Sequence, residues 1–232
     1  MSITKYIPNT ITCFNLASGC FATIMALQGD LKAAIIWIII AAIFDFSDGL
    51  AARLLKAYSP LGKELDSLSD VVSFGVAPGM SLYVLLATAV GSLEISGISW
   101  LPYLAFVIPV FSGLRLAKFN VDERQSTSFI GMPVPAHALL WGSLSYVLQQ
   151  FITNHALYIL IACLIASMAT SYLLVSEVPM FSMKVKSLKW KGNELRYILI
   201  VCGLLFLLLF GFLGIAGTML LYIILSLFNK QH

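Results

Sequence analysis

Long apolar stretches recur along this 232-residue chain, and short segments with glycine, proline or charged residues separate them. An α-helix needs about 20 mostly apolar residues to cross the hydrocarbon core of a membrane, and these stretches are of that order. A transmembrane barrel would instead show weak alternation over segments of about ten residues. The first six predicted spans cover residues 10–27, 31–55, 63–90, 101–120, 133–151 and 156–175.

The last apolar block, residues 197–228, is too long for one span. Gly211, Gly214 and Gly217 are predicted to split it into two short helices, because glycine weakens a helix interior. Between spans two and three, Pro60 and Gly62 are predicted to break the helix. The pattern therefore predicts an all-α, polytopic membrane helix bundle with about eight transmembrane helices.

Positive charge is distributed unevenly over the loops of this predicted bundle. With a cytoplasmic N-terminus, 13 of the 14 lysine and arginine residues fall on the cytoplasmic side, and only Lys32 falls outside. Cytoplasmic loops of membrane proteins carry such an excess of lysine and arginine. We therefore expect both termini, and the turn between spans two and three, on the cytoplasmic side.

The composition agrees with a membrane protein. Hydrophobic residues make up 59% of the chain and charged residues 11%, which excludes an ordinary soluble domain. The net charge of +3 adds little, and no nucleic-acid partner is expected. The four cysteines fall in apolar segments without metal-ligand or disulfide spacing, so we interpret them as small packed side chains.

Four aspartates interrupt this apolar chain within 26 residues. Asp45 and Asp48 lie near the end of span two, and Asp66 and Asp70 lie near the start of span three. A carboxylate at the centre of a bilayer costs roughly 2.5–3.5 kcal/mol even on lenient insertion scales. The group is therefore costly unless a cation neutralises it, and a divalent-metal site is the simplest interpretation.

Helical spacing places these acids on two helix faces, because residues three and four apart share a face. The first face carries Asp45, Asp48, Gly49 and Ala52, and the second carries Gly62, Asp66 and Asp70. A short turn would make the two helices antiparallel neighbours, so the faces can meet. Oxygen ligands at this density suit Mg²⁺ or Mn²⁺ rather than zinc, and four carboxylates can hold two ions. The small residues would let a phosphate group approach the backbone, and Arg53 could bind it through two hydrogen bonds.

Two other interpretations of the four aspartates are open at this point. The carboxylates could simply pair with Arg53, Lys56 and Lys63 at the helix ends. The chain could also be a divalent-cation transporter, since intramembrane carboxylates mark ion pathways. Transporters usually place such groups near the midplane of the membrane, in repeated halves of the chain.

The spacing D-x2-D-G-x2-A-R-x8-G-x3-D-x3-D resembles the signature of the CDP-alcohol phosphotransferases at every defined position. The resemblance implies a membrane helix bundle, a homodimer, and two divalent cations between the second and third helices. The implied metal ligands are Asp45, Asp48, Asp66 and Asp70. Asp70 would also be the general base that deprotonates the acceptor hydroxyl. Contacts to CDP would come from Asp48, Gly49, Ala52, Arg53 and Gly62.

Other segments resemble the membrane-embedded phosphatidylserine synthases of that family. They are IPNTIT-x-x-N, ELDSLSDVVSFGVAPG, and RLAKFNV followed by F-x-GMPVPA. The implied reaction joins CDP-diacylglycerol and L-serine to give phosphatidylserine and CMP. Pro8, Asn9 and Thr12 would then contribute to the nucleotide pocket. Near the end of span four, Arg115, Lys118 and Asn120 could contact serine or a lipid phosphate.

Within this family the acceptor could also be glycerol 3-phosphate or an inositol phosphate. Several arginines would be expected around those anionic acceptors, and the chain has only four arginines. We expect a catalytic six-helix core over residues 1–175, a basic cytoplasmic loop over 176–196 and a C-terminal helical hairpin over 197–232. The expected location is the cytoplasmic membrane of a prokaryote, among membrane lipids, with the site at the cytoplasmic face.

Overall fold

The computed structural model describes residues 6–93, 95–122, 129–181 and 193–228. Helices account for most of these residues: α1 (Tyr6–Leu27), α2 (Leu31–Leu54), α3 (Pro60–Asp70), α4 (Ala77–Gly91), α5 (Val107–Val121), α6 (Val134–Gln149), α7 (Ile152–Val175), α8 (Glu194–Phe210) and α9 (Phe212–Phe228). A π-helical turn, Val71–Val76, joins α3 to α4, and a 3-10 turn, Leu101–Phe106, leads into α5. Two short strands, β1 (Phe129–Ile130) and β2 (Pro179–Met180), pair in antiparallel fashion. The lysines of the predicted basic loop, Lys184, Lys186, Lys189 and Lys191, lie outside the described residues.

Five helical segments of the described chain are long and apolar enough to cross a membrane. They are Tyr6–Leu27, Leu31–Leu54, Pro60–Gly91, Leu101–Val121 and Ile152–Val175. The prediction of an all-α membrane protein is therefore confirmed. The prediction of eight spans additionally requires α6, α8 and α9 to cross the membrane, and it stays a prediction together with the orientation of the termini.

The turn between α2 and α3 begins and ends earlier than the sequence suggested. The helix breaks over residues 55–59, and Pro60 is the first residue of α3. Ser59 caps this helix by accepting a hydrogen bond from the Gly62 amide at 3.0 Å. Proline suits the first helical turn, where its missing N–H would have no helical partner. The predicted break between the two aspartate pairs is confirmed, but it lies before Pro60 and Gly62, which both belong to α3.

The predicted third span is not one continuous α-helix. The π-helical turn Val71–Val76 follows Asp70 directly, and it packs against α5. The contact is close at Gly75, where a Cβ atom would lie 3.1 Å from the Ser112 Cβ and 3.4 Å from the Pro109 Cα. A π-turn accommodates an extra residue in the helix and often occurs at functional sites.

The C-terminal hairpin turns at a single glycine. Gly211 has a φ of 57°, a conformation that favours glycine, and it separates α8 from α9. Gly214 and Gly217 lie inside α9, where they allow close packing against Phe206 of α8. The predicted split of the last apolar block is confirmed, but the part assigned to Gly214 and Gly217 was wrong.

The packing of the helices brings the polar end of α2 next to the start of α1 and to α3. α1 packs along α2, α3 and the π-turn, while α4 packs against α6 and α7. α9 packs against α6 and α8. The core between them is apolar and includes the wholly buried Phe74 and Trp141. Among the buried polar side chains, Asp48, Asp70, Thr12 and Asn15 lie on α1, α2 and α3.

Candidate active site

Three of the four aspartates come together where α2 ends and α3 begins. Asp45, Asp48 and Asp66 each offer one carboxylate oxygen, and these oxygens lie within 4.8 Å of one another. Asp48 is buried, whereas Asp45 and Asp66 are half-buried. The two predicted helix faces therefore do meet, as the spacing indicated.

Asp70 lies beside this group of three and has a different environment. It is buried at the last residue of α3, and its Oδ1 accepts a hydrogen bond from the Asn15 Nδ2 at 3.2 Å. The carboxylate is within electrostatic range of Asp45, Asp66 and Asp48. Its oxygens are not among the three that converge within 4.8 Å. The four acids thus form one cluster in which Asp70 is held separately by α1.

Pairing with the nearby cations does not explain the cluster. In the described part of the chain, none of the four aspartates forms an ion pair with a lysine or arginine. Arg53 and Lys56 are exposed. The Lys63 ammonium donates instead to the Asn120 carbonyl at 3.1 Å. The alternative in which these carboxylates only balance charges at the helix ends is therefore wrong.

The residues that are present fit a hard divalent cation. Within the described residues, the buried Asp48 Oδ2 has no hydrogen-bond partner. Leaving a buried charged oxygen unpaired is costly, and carboxylates crowded this closely repel one another. Carboxylate oxygens are the ligands that Mg²⁺ and Mn²⁺ prefer. The group formed by Asp45, Asp48 and Asp66 could therefore hold a metal ion.

The start of α1 forms a wall of the site. Thr12 is buried and its side chain lies beside the Asp48 carboxylate. Asn9 lies against Gly62, since a Cβ atom on Gly62 would be 2.9 Å from the Asn9 Oδ1. Pro8 is buried one turn before Thr12 and accepts a hydrogen bond from the Thr12 hydroxyl at 3.0 Å. The structure thus brings the predicted α1 residues to the aspartate cluster.

The small signature residues differ in what surrounds them. Among the described residues, no atom would lie within 4 Å of a Cβ atom on Gly49, so the backbone next to Asp48 is open there. Ala52 is half-buried one turn later, and Arg53 is exposed with no hydrogen bond or ion pair to the aspartates among the described residues. Gly62 has the opposite environment, because Asn9 and Ser59 cover it. The open surface for a ligand is therefore on α2.

The three α5 residues predicted to contact serine or a lipid phosphate have different surroundings. Arg115 is buried, its guanidinium lies 4.7 Å from the centre of the Phe119 ring, and it is within electrostatic range of Asp70. Lys118 donates to the Glu177 Oε1 at 2.6 Å and to the Val175 carbonyl at 3.2 Å.

Asn120 lies at the far end of α5 and connects that helix to α3. Its Nδ2 donates to the Ser67 hydroxyl at 2.8 Å, in addition to the bond that its carbonyl accepts from Lys63. Of the three α5 residues, Arg115 is therefore the one within electrostatic range of Asp70.

Sequence reasoning missed the part played by Asn15 and two serines. The Ser69 hydroxyl donates to the Thr12 carbonyl at 3.2 Å, and the Ser73 hydroxyl donates to the Asn15 carbonyl at 2.9 Å. These bonds hold α1 against α3 and the π-turn. Asn15 is the last residue of the IPNTIT-x-x-N segment, so the sequence did contain a signal for it.

Comparison with known proteins decides the family. A family model described as CDP-alcohol phosphatidyltransferase matches residues 5–227. The chain belongs to the CDP-alcohol phosphatidyltransferase family. This confirms the resemblance inferred from the aspartate spacing.

Named relatives within this family are similar over most of the chain. A CDP-diacylglycerol–serine O-phosphatidyltransferase of Bacillus subtilis (strain 168) is 36% identical over 174 residues, 75% of this chain and 89% of that protein. A protein of the same name from Mycobacterium leprae (strain TN) is 35% identical over 190 residues, 79% of this chain and 60% of that protein. An archaetidylserine synthase of Methanothermobacter thermautotrophicus is 34% identical over 165 residues, 69% of this chain and 66% of that protein.

Proposed function

We propose that this CDP-alcohol phosphatidyltransferase moves the phosphatidyl group of CDP-diacylglycerol to L-serine, giving phosphatidylserine and CMP. The observation that carries this proposal is the convergence of Asp45, Asp48 and Asp66 in a protein of this family. Serine occurs in the names of the bacterial relatives and of the archaeal relative, although their lipids differ. The acceptor is therefore the part of the reaction that these relatives share.

The aspartate cluster would hold the divalent cations. Asp45, Asp48 and Asp66 supply the converging oxygens, and Asp70 would be a further ligand. We propose two ions, Mg²⁺ or Mn²⁺, as the resemblance implies. Bound there, such ions would stabilise the negative charge that develops as CMP leaves.

Asp70 is the proposed general base. An alcohol is a weak nucleophile at neutral pH, so a positioned base is needed to take its proton. Asp70 accepts the proton of the serine hydroxyl while the hydroxyl oxygen attacks the β-phosphorus of CDP-diacylglycerol. The bond from that phosphorus to the oxygen of CMP breaks, and CMP leaves. The Asn15 amide, which donates to the Oδ1, holds the carboxylate in one orientation during this step.

The donor nucleotide would lie between α1 and α2. Gly49 leaves the backbone open for a pyrophosphate, and Arg53 at the exposed end of α2 can bind a phosphate oxygen. Pro8, Asn9 and Thr12 form the α1 side of the same pocket, with Asp48, Ala52 and Gly62 completing the proposed CDP contacts.

We assign the serine carboxylate to Arg115. A guanidinium suits a carboxylate because both are planar and can form two parallel hydrogen bonds. Arg115 is also within electrostatic range of the proposed base, Asp70. Lys118 and Asn120 are engaged with other helices, and we therefore propose that they position the end of α5 rather than bind serine.

The proposed setting is the cytoplasmic membrane of a prokaryote, with the aspartate cluster at the cytoplasmic face. Supporting this, the loops on that side carry most of the lysine and arginine residues. The family resemblance supports a homodimer, which mass measurement in detergent would test. The division into a catalytic core, a basic loop and a C-terminal hairpin stays a proposal.

Release of CMP by the purified protein tests the function. CDP-diacylglycerol and Mn²⁺ are supplied with serine, glycerol 3-phosphate or inositol phosphate in separate reactions, and a chelator is added in a fourth. We expect release with serine alone, and loss of release with the chelator that added Mn²⁺ or Mg²⁺ restores.

Each other result has a definite meaning. Release of CMP with glycerol 3-phosphate or inositol phosphate would support the proposed active site but contradict serine as the acceptor. Release that survives the chelator would contradict the metal assignment. No release with any alcohol, from folded protein across a metal titration, would contradict phosphatidyl transfer and favour the cation-transport interpretation.

A further inference from the structure

The side chain of Asn15 meets the aspartate cluster from α1. Its Nδ2 donates to the Asp70 Oδ1 at 3.2 Å, and the residue is 0% exposed. An ionised carboxylate only accepts hydrogen bonds, so the NH₂ group of the amide must be the one that points at Asp70. The backbone is held as well, because the Ser73 hydroxyl donates to the Asn15 carbonyl at 2.9 Å. The position of the remaining amide atom, Oδ1, is therefore fixed.

The Asn15 Oδ1 has no hydrogen-bond partner among the residues that the structure describes. A buried amide oxygen without a partner is costly, because it has given up its hydrogen bonds to water. On α2, the buried Asp48 Oδ2 is in the same condition. Acceptor oxygens that lack donors and lie around several carboxylates point to a bound cation.

The Asn15 oxygen is close enough to Asp70 for the two residues to share an ion. The two polar atoms of an amide are about 2.3 Å apart, which places the Asn15 Oδ1 no more than about 5.5 Å from the Asp70 Oδ1. Asp70 lies outside the group of three oxygens that converge within 4.8 Å. A second ion beside the first needs ligands that this group does not supply, and Asp70 and Asn15 offer them.

An amide oxygen suits this position because it is neutral. Asparagine carbonyls bind hard divalent cations together with carboxylates. Two divalent cations balance the charge of the four aspartates, so a neutral fifth ligand leaves the loaded cluster without excess charge. A fifth carboxylate would leave one negative charge buried and uncompensated, which is costly.

We propose that Asn15 is a ligand of the second divalent cation through its Oδ1, while its Nδ2 orients the Asp70 carboxylate. A single amide then aligns the ion and the general base with each other. This inference rests on the proposed function, because it takes the two-ion site from there.

A count of the Mn²⁺ ions bound to the purified chain tests the proposal. The titration is followed by electron paramagnetic resonance, in detergent and without substrate, because free Mn²⁺ gives a sharp six-line spectrum that is lost on binding. We expect the native chain to bind two ions. Asn15→Ala should keep one ion at native affinity and bind the second at least about tenfold more weakly.

Asn15→Asp separates a metal ligand from a residue that only orients Asp70. This variant keeps an oxygen at position 15, but its ionised side chain cannot donate to Asp70. We expect it to bind two Mn²⁺ ions at least as tightly as the native chain. Its kcat for CMP release should nevertheless fall roughly 10- to 100-fold, as in Asn15→Ala, because both variants lose the bond that orients the base.

Two controls separate the oxygen from its charge and from the type of residue. Ser67→Asp in the Asn15→Ala background adds a negative charge next to Asp66 without an oxygen at position 15, and it should not restore the second ion. Asn120→Ala removes an asparagine whose amide donates to the Ser67 hydroxyl at 2.8 Å. This variant should bind both ions at native affinity.

Unchanged Mn²⁺ binding in Asn15→Ala would overturn the proposal, as would loss of the second ion in Asn15→Asp or its equal recovery in the Ser67→Asp control. A higher KM for serine in Asn15→Ala, with both ions still bound, would assign the amide oxygen to the acceptor and likewise overturn it. A native chain that binds two Mn²⁺ ions but releases no CMP would contradict the proposed function, while the Mn²⁺ titrations would still test the role of Asn15.

Discussion

At the scale of single residues, the four aspartates are chemically alike and differ in their neighbours. Asp45, Asp48 and Asp66 direct oxygens toward one another, whereas Asp70 receives a hydrogen bond from Asn15. A group of converging carboxylates suits a cation. A carboxylate that is held by an amide beside that group suits proton transfer, because its orientation is fixed.

Asp70→Asn tests this division of roles. We expect kcat to fall about 10²- to 10⁴-fold, the usual contribution of a general base, while the affinity for CDP-diacylglycerol changes little. CMP release measures the first quantity, and equilibrium binding of CDP-diacylglycerol measures the second. Full turnover in this variant would contradict the assignment of Asp70 as the general base.

Asp30→Asn makes the same change of charge at a site outside the cluster. Asp30 caps α2 by accepting a hydrogen bond from the Ala33 amide at 2.9 Å. Asparagine caps a helix about as well as aspartate, so neither turnover nor stability should change appreciably. A large loss of turnover here would show that the effect of Asp70→Asn is not specific to the site.

At the scale of elements, α1 is the helix that joins the two halves of the aspartate cluster. α2 and α3 each pack against α1, and hydroxyls of Ser69 and Ser73 donate to α1 carbonyls. Gly19 allows this close approach, because a Cβ atom there would meet the Ser73 side chain and lie 2.6 Å from the Ser73 Cα. The position of Asn15 relative to Asp70 therefore depends on how closely α1 lies against the π-turn.

Gly19→Ala tests that dependence. A methyl group at this contact must push the two helices apart, and such overpacking costs about 1–3 kcal/mol of stability. Because Asn15 and Thr12 move with α1, we expect kcat to fall roughly 10- to 100-fold. Unfolding temperature and CMP release measure the two effects.

Gly113→Ala is the control for a glycine replacement inside a helix. In the part of the chain that the structure describes, a Cβ atom on Gly113 of α5 would have no neighbour within 4 Å. We expect a stability gain of up to about 1 kcal/mol and unchanged turnover, because alanine favours a helix interior more than glycine does. Equal losses in both variants would contradict the specific role of the Gly19 contact.

At the scale of the whole molecule, the helices form a bundle in which Asp45, Asp48 and Asp66 of α2 and α3 converge. Five helical segments of the described chain can cross a membrane, and the loop between α2 and α3 contains exposed residues such as Tyr58. The loop after α4 contains the exposed Ser96. If the aspartate cluster faces the cytoplasm, these two loops lie on opposite sides of the membrane.

Labelling of single cysteines tests this orientation. In a background without the four native cysteines, Tyr58→Cys should react with a membrane-impermeant thiol reagent only after the cells are opened. Ser96→Cys should react in intact cells and provides the matched control. The reverse pattern would place the active site on the outer side and contradict the charge distribution as a guide to topology.

The sequence alone determined the class of fold, the position of most helices and the identity of the acidic cluster. A long hydrophobic stretch predicts a membrane span, because a helix must cover the thickness of the membrane. This signal lies in residues that are neighbours in the sequence. The aspartate spacing is also local, since it places the acids on two helix faces that are joined by one turn. The family match and the convergence of Asp45, Asp48 and Asp66 agree with that reading.

Which distant residues meet at the site depends on how the helices pack in three dimensions. Asn15 donates a hydrogen bond to Asp70 across 55 positions, and Lys118 pairs with Glu177 across 59. The π-turn after Asp70 likewise packs closely against α5, through Gly75, and the hydrophobic pattern did not predict it. Inside a membrane, a face that contacts lipid and a face that contacts another helix can be equally apolar. Hydrophobic pattern therefore predicts that a helix crosses the membrane, but not which of its residues face which neighbour.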